Sequence, residues 1–126
     1  MFDNKTLAFI GSGQMAEAMI AGLVDKNIMI PEQIVASGPR ETRARELTAR
    51  YGIKTTTDNM TAAREADIIV LSVKPQVIDD ALPQNSPDIA NCDLIVSIAA
   101  GVTIEHLVNH LGHQRLARAM TNTPAK

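Results

Sequence analysis

The chain has 126 residues, 45% of them hydrophobic and 21% charged, which is enough for one globular domain with a buried core. A net charge of −2, with two phenylalanines, one tyrosine and no tryptophan, gives no basis for a nucleic-acid-binding surface. The single cysteine, Cys92, excludes an internal disulfide and a cysteine-based zinc cluster. No apolar run approaches the ~20 residues of a membrane span. Because Asp3 and Lys5 interrupt the start of the chain, we expect no secretory signal and a cytoplasmic protein.

Short apolar segments alternate along the chain with segments of helical periodicity. The continuous apolar stretches at 68–71 and 94–96 are typical of parallel strands that are covered on both faces. We therefore predict an α/β fold, a Rossmann-type doubly wound and mainly parallel sheet with helices on both faces and strand order 3-2-1-4-5-6. The predicted strands are residues 6–10, 33–37, 54–56, 68–73, 94–98 and 116–120. The predicted helices are residues 15–26, 41–51, 61–66, 75–82 and 103–111.

The first predicted strand runs into a Gly-x-Gly-x-x-Ala turn at residues 11–16. Gly11 permits a tight turn, Gly13 leaves the backbone open to a pyrophosphate, and Ala16 lets the following helix lie close to the strand. The free N–H groups at the start of that helix favour phosphate binding. The residues predicted to bind a dinucleotide here are Ile10, Gly11, Ser12, Gly13, Gln14 and Met15.

The segment at the end of the second predicted strand carries no carboxylate. In this fold an acidic residue there hydrogen-bonds the ribose 2′-OH of NAD, whereas a hydroxyl with an arginine accommodates the 2′-phosphate of NADP. Ser37 can donate to a phosphate oxygen and Arg40 can pair with it, with Arg43 and Arg45 next in reach. We therefore expect NADPH, with NADH as the second option. The alternative is that these arginines are simply exposed at the start of a helix.

Further segments carry a family resemblance. These are Ser-Val-Lys-Pro at 72–75, Ala-Ala-Gly-Val at 99–102 and Met-Thr-Asn-Thr-Pro-Ala at 120–125, together with Asn59 and the glycine turn. With them the chain resembles the amino-terminal half of pyrroline-5-carboxylate reductase, a family that makes proline by reducing a cyclic imine with NAD(P)H. The resemblance extends from Lys5 to the last residue.

The resemblance implies a cofactor site in the loops at the carboxyl edge of the sheet, where open α/β sheets bind ligands. It places Asn59 near the adenosine and implies no covalently acting lysine, so we expect no catalytic side chain in this chain. Lys74 is expected to pack its stem on the cofactor, the alternative being a general acid or a Schiff-base former. We expect no metal site at His106 and His110, with His113 beyond them, because they lack the H-E-x-x-H spacing and no carboxylate or cysteine cluster joins them. The residues that it places along the rest of the cofactor are Ser72, Val73, Lys74, Pro75, Ile98, Ala99 and Ala100.

The resemblance also implies an enzyme activity, the NADPH-dependent reduction of 1-pyrroline-5-carboxylate to L-proline. Residues 1–126 would be its NAD(P)-binding domain, without the family's carboxyl-terminal helical domain for homo-oligomerisation and substrate binding, and inactive alone. Two alternatives are a non-catalytic NADP-sensing module and a related β-hydroxyacid-type dehydrogenase domain. A structural domain with no ligand is a third.

Overall fold

A computed structural model of the chain describes residues 4–73 and 92–98 and the backbone of residues 116–118. These residues form an α/β fold with a parallel sheet. The strands are β1 (Leu7–Ile10), β2 (Ile34–Ser37), β3 (Lys54–Thr56), β4 (Ile68–Leu71), β5 (Leu94–Ser97) and β6 (Leu116–Arg118). The helices are α1 (Gln14–Asp25), α2 (Glu41–Tyr51) and α3 (Asn59–Glu65).

The sheet has the strand order β3-β2-β1-β4-β5-β6, and all of its strands are parallel. This confirms the predicted fold class and order. The direction of strand addition reverses between β1 and β4, which creates the crevice where such sheets bind ligands. The pairing of Ile10 with both Ser37 and Leu71 shows that the three central strands end level at that crevice.

The core lies on both faces of the sheet, as the continuous apolar strands predict. On one face, Phe9 packs with Ile20 of α1 and Leu47 of α2. On the other face, Ile69 packs with Ala62 of α3, whose small side chain lets the helix approach the sheet. Each helix therefore has its first turn close to the carboxyl edge of the strands, because it follows a strand through a short loop.

Several element bounds differ from the predicted ones. The strands β4 and β5 stop at Leu71 and Ser97, earlier than predicted. Helix α3 starts at Asn59 because the side chain of Asp58 accepts a hydrogen bond from the Met60 amide and caps it. Helix α2 matches its prediction and ends where Gly52 takes a φ of 74°.

Two further points concern helices. A short 3₁₀ turn at Pro31–Gln33 precedes β2 and was not predicted. The helices predicted at 75–82 and 103–111 lie outside the described residues. Among the residues that the structure describes, no helix has the length and apolar character to cross a bilayer.

Candidate functional site

Gly11 follows β1 and occupies a place that admits only glycine. Its φ is +110°, and an added Cβ would lie 2.8 Å from the backbone carbon and oxygen of Ser72. The Gly11 N–H donates to the Ser37 oxygen at 2.9 Å, and the Gly11 oxygen accepts from Ser72 Oγ at 2.9 Å. The turn is therefore fixed to the ends of both neighbouring strands, β2 and β4.

Gly13 differs from Gly11 because nothing in the fold requires a glycine there. It is the N-cap of α1, with the ordinary extended angles φ −80° and ψ −167°, and an added Cβ would meet no atom within 4 Å. No side chain caps the helix, and the amides of Gln14, Met15 and Ala16 have no acceptor among the described residues. Open space beside unsatisfied amides at a positive helix end fits a pyrophosphate.

Ser12, between the two glycines, contacts the loop that joins β2 to α2. A Cβ added at Gly38 would collide with Ser12 Oγ, so the glycine lets the loop approach the turn without displacing the Ser12 hydroxyl. On the other side, Arg43 Nε donates to the Ser12 carbonyl oxygen at 2.7 Å. The glycine turn is thus held by α2 as well as by the sheet.

Ser37, predicted to contact a phosphate, has a side chain with no exposed surface. Its Oγ donates to Asn59 Oδ1 at 2.6 Å, and the next acceptor, the Phe9 oxygen, is 3.4 Å away. Asn59 is partly exposed at the carboxyl edge of the sheet. The structure therefore brings the two predicted residues together, with Asn59 on the outer side.

The three arginines near the start of α2 have different surroundings. Arg40 is exposed, and in the part of the chain that the structure describes it forms no ion pair. Arg43 is only 14% exposed and pairs with Glu17 at 2.6 Å, so it is not a free cation. Arg45 lies beside Glu41 at 3.8 Å on the outer surface of the helix. Of the three, Arg40 is the one that is exposed and has no ion pair among the described residues.

Glu17 of α1 joins this helix to α2. It accepts from the Tyr51 hydroxyl at 2.7 Å, from Arg50 at 2.7 Å and from Arg43 at 2.6 Å. These hydrogen bonds, that of Tyr51 first and those of Arg50 and Arg43 next, favour the ionised carboxylate and lower the pKa of Glu17 to about 2. A carboxylate that binds these three side chains of α2 holds the first turns of α1 in one position.

The loops after β4 and β5 reach the same edge. Ser72 Oγ donates to the Gly11 oxygen, and Val73 is close enough that its Cγ1 would lie 2.9 Å from a Cβ at Gly11. The Ile98 amide donates to the Leu71 oxygen at 3.0 Å. Ser72 and Val73 therefore lie beside the turn that follows β1, and Ile98 is bonded to the end of the neighbouring strand β4. The predicted residues Lys74, Pro75, Ala99 and Ala100 lie outside the described residues.

Sequence reasoning missed two features of the site. The hydrogen bond from Arg43 to Ser12 could not be predicted from a local sequence pattern, because the two residues are 31 positions apart. The contact of Gly38 with Ser12 had a signal, since a glycine directly after a strand indicates a close approach of backbone.

Comparison with known proteins identifies relatives of this chain. Residues 6–101 match the family described as NADP oxidoreductase, coenzyme F420-dependent. The pyrroline-5-carboxylate reductase of Vibrio alginolyticus is 43% identical over 126 residues, which cover 98% of this chain and 46% of the relative. That of Escherichia coli K12 is 38% identical over 123 residues, with 97% and 46% covered. The chain thus spans about half the length of the curated relatives that it matches.

Comparison with solved structures also finds pyrroline-5-carboxylate reductases. The pyrroline-5-carboxylate reductase of Coxiella burnetii has a TM-score of 0.84 and 31% identity, covering 97% of this chain and 46% of that one. The Plasmodium falciparum enzyme with NADP bound has a TM-score of 0.76 and 28% identity, covering 94% and 42%. The chain therefore belongs to the NADP oxidoreductase family described as coenzyme F420-dependent, and it is homologous to the NAD(P)-binding domain that forms the amino-terminal half of pyrroline-5-carboxylate reductases.

Proposed function

We propose that this chain is the cofactor-binding portion of an NADPH-dependent pyrroline-5-carboxylate reductase, which converts 1-pyrroline-5-carboxylate to L-proline. Homology to such reductases over 98% of the chain supports the reaction class. One structural observation carries the cofactor assignment. Gly13 has no steric reason to be glycine, and it lies beside helix amides without an acceptor among the described residues.

Different groups of the described residues would bind different parts of the cofactor. Gly13 and the first amides of α1 would hold the pyrophosphate, while Arg40 and Asn59 would face the 2′-phosphate and its ribose. Ser72, Val73 and Ile98 would lie along the remaining half. When bound, NADPH supplies the hydride that reduces the imine carbon.

The main contribution of this portion of the protein to the reaction would be to hold the cofactor in place for the imine. A protonated imine is already electrophilic, so holding it against the reduced nicotinamide supplies much of the rate enhancement. We assign the binding of the substrate carboxylate, and homo-oligomerisation, to the additional length of the relatives. The chain alone is then expected to bind NADPH but to show no imine reduction.

The cofactor assignment is tested by a titration of the ¹⁵N-labelled chain with NADPH and NADH. The amide resonances of residues 11–16 should shift. Gly13→Ala should weaken NADPH binding at least tenfold, because its methyl group occupies the open space beside the amides. Its free energy of unfolding should stay within about 1 kcal/mol, since the loss of a favourable N-cap residue is offset by a less flexible unfolded chain.

Gly22→Ala is the matched control for this variant. Gly22 also lies in α1, and an added Cβ there meets nothing within 4 Å, but it is distant from the turn. This variant should gain about 1 kcal/mol of stability and bind NADPH as the wild type does. Unchanged NADPH affinity in Gly13→Ala would contradict the proposal, because the open space at Gly13 would then have no part in NADPH binding.

The activity itself is tested in a chimera that joins this chain to the carboxyl-terminal part of the Escherichia coli reductase. Consumption of NADPH with 1-pyrroline-5-carboxylate, followed by absorbance, should appear in the chimera and should require at least tenfold more NADPH with Gly13→Ala. A chimera that binds NADPH but leaves the imine unreduced would contradict the reductase assignment and favour a nucleotide-sensing module. Turnover by the chain alone would show that the substrate site lies within it.

A further inference from the structure

Arg43 uses its whole guanidinium group inside the protein. Its Nε donates to the Ser12 oxygen at 2.7 Å, its Nη2 lies 2.6 Å from Glu17 Oε1, and its Nη1 lies 3.5 Å from Glu46 Oε1. The planar fork of arginine can serve such divergent acceptors at once, which a lysine cannot do. Because Glu17 neutralises the charge, Arg43 is unsuited to attract a phosphate directly.

The bond to Ser12 sets the direction of the next amide. In a trans peptide, the C=O and the N–H point to opposite sides of the chain, and the described residues contain no cis peptide. A guanidinium that holds the Ser12 oxygen therefore turns the Gly13 N–H away from α2. The Gly13 N–H has no acceptor among the described residues.

The same bond also changes the strength of that amide as a donor. A charged donor at the carbonyl draws electron density through the peptide group, so the N–H on its other side donates more strongly. The position of Arg43 is itself fixed, because Glu17 is held in turn by Arg50 and Tyr51. The guanidinium is thus a rigid support between α2 and the glycine turn.

We infer that Arg43 is a positioning residue for cofactor binding, which aims the Gly13 N–H at the pyrophosphate by holding the Ser12 carbonyl, and that it makes no contact with the 2′-phosphate. The inference rests on the proposed function. It assigns to Arg43 a role that is equal for NADPH and NADH, because both carry the same pyrophosphate. Arg40 then remains the residue that distinguishes them.

The test measures dissociation constants of Arg43→Ala and Arg43→Lys for NADPH, NADH and adenosine 2′-monophosphate, which has no pyrophosphate. Both dinucleotides should bind about tenfold more weakly to each variant, as expected for the loss of a charge-assisted hydrogen bond. The ratio of NADPH to NADH affinity and the affinity for adenosine 2′-monophosphate should not change. Arg45→Ala, on the same helix but outside the turn, is the control and should bind all three ligands normally.

Other results would overturn the inference. A selective loss of NADPH and adenosine 2′-monophosphate would show a direct contact with the 2′-phosphate. Unchanged affinities below the melting temperature, with only that temperature lowered, would show a purely structural role. If Arg43→Ala does not fold, Arg43→Lys decides the question, because it retains a cation for Glu17. Failure of the wild-type chain to bind either dinucleotide would instead contradict the proposed function.

Discussion

The buried hydroxyl of Ser37 donates to Asn59 Oδ1 at 2.6 Å and so connects the end of β2 to the first residue of α3. Because the oxygen of the Asn59 amide faces Ser37, its nitrogen faces the other way and is available as a donor at the carboxyl edge. A donor at that place suits an oxygen of the ribose or of its phosphate. Ser37 therefore fixes the orientation of Asn59, and we expect it to act on cofactor binding through that residue.

This relationship predicts that Ser37→Ala weakens NADPH binding although Ser37 is buried. The loss of one neutral hydrogen bond is worth about 1 kcal/mol, which corresponds to roughly a fivefold rise in the dissociation constant. Isothermal titration of Ser37→Ala, Asn59→Ala and the double variant measures the effect. The double variant should bind no more weakly than Asn59→Ala alone, since Ser37 works through Asn59. Additive losses would mean that Ser37 contacts the cofactor itself.

A second prediction concerns Gly11, where the fold and not the ligand requires glycine. Gly11→Ala should lower the free energy of unfolding by about 2 to 4 kcal/mol, because a positive φ and overlap with the Ser72 carbonyl act together. Urea denaturation of the wild type, Gly11→Ala and Gly13→Ala checks this. If Gly11→Ala unfolds at the same urea concentration as Gly13→Ala, the close approach of Ser72 is not a real constraint.

The fold could be predicted from local patterns because each strand carries its own signal. The continuous apolar stretch at 68–71 requires cover on both faces, and the glycine turn indicates which strand precedes the first helix. Each of these patterns lies within a short stretch of the sequence and does not depend on contacts between distant segments. They led to the correct strand order, and they placed the glycine turn at the carboxyl edge of the sheet, where the structure has it.

The roles of individual side chains depended on packing between distant segments, which no local pattern contains. Ser37 was predicted to face a phosphate, yet its burial depends on how α3 covers the end of β2. Arg43 was considered as a phosphate contact, yet its partner Glu17 is positioned by the packing of α1 against α2. The residue types therefore indicated which residues lie near the site. The orientation of their side chains depends on how the helices pack on the sheet and on one another, which the sequence pattern does not show.

A third prediction concerns the pH dependence of stability that Glu17 creates. Hydrogen bonds from Tyr51, Arg50 and Arg43 lower its pKa to about 2 in the folded chain, against about 4.3 for a free glutamate. Between these values the unfolded chain binds more protons than the folded chain, so stability rises with pH. The contribution of Glu17 is complete above about pH 5 and is lost as the pH falls toward 2.

Glu17→Gln should remove this contribution. Urea midpoints between pH 6 and pH 2.5 should be lower for Glu17→Gln than for the wild type near pH 6, and the two curves should converge at the acidic end. Glu32→Gln is the control, because Glu32 is exposed and has no ion pair in the part of the chain described. Its curve should run parallel to that of the wild type. A constant gap between wild type and Glu17→Gln would contradict the low pKa.

The last prediction separates the two nicotinamide cofactors at Arg40. Arg40 is exposed at the start of α2 and has no ion pair among the described residues, whereas Arg45 stands beside Glu41. Arg40→Glu should weaken NADPH binding at least tenfold, since a carboxylate would face the 2′-phosphate, and should change NADH binding less than about twofold. Fluorescence titration with both cofactors measures the two constants.

Charge reversal at Arg45 provides the comparison, because it alters the net charge of the chain by the same amount. If general electrostatic attraction governs binding, Arg45→Glu will weaken NADPH as strongly as Arg40→Glu, and added salt will abolish both effects together. If Arg40 pairs with the 2′-phosphate, only Arg40→Glu changes the ratio of NADPH to NADH affinity. If Arg40→Glu weakens NADPH binding and NADH binding equally, the residues that follow β2 do not determine the preference for either cofactor.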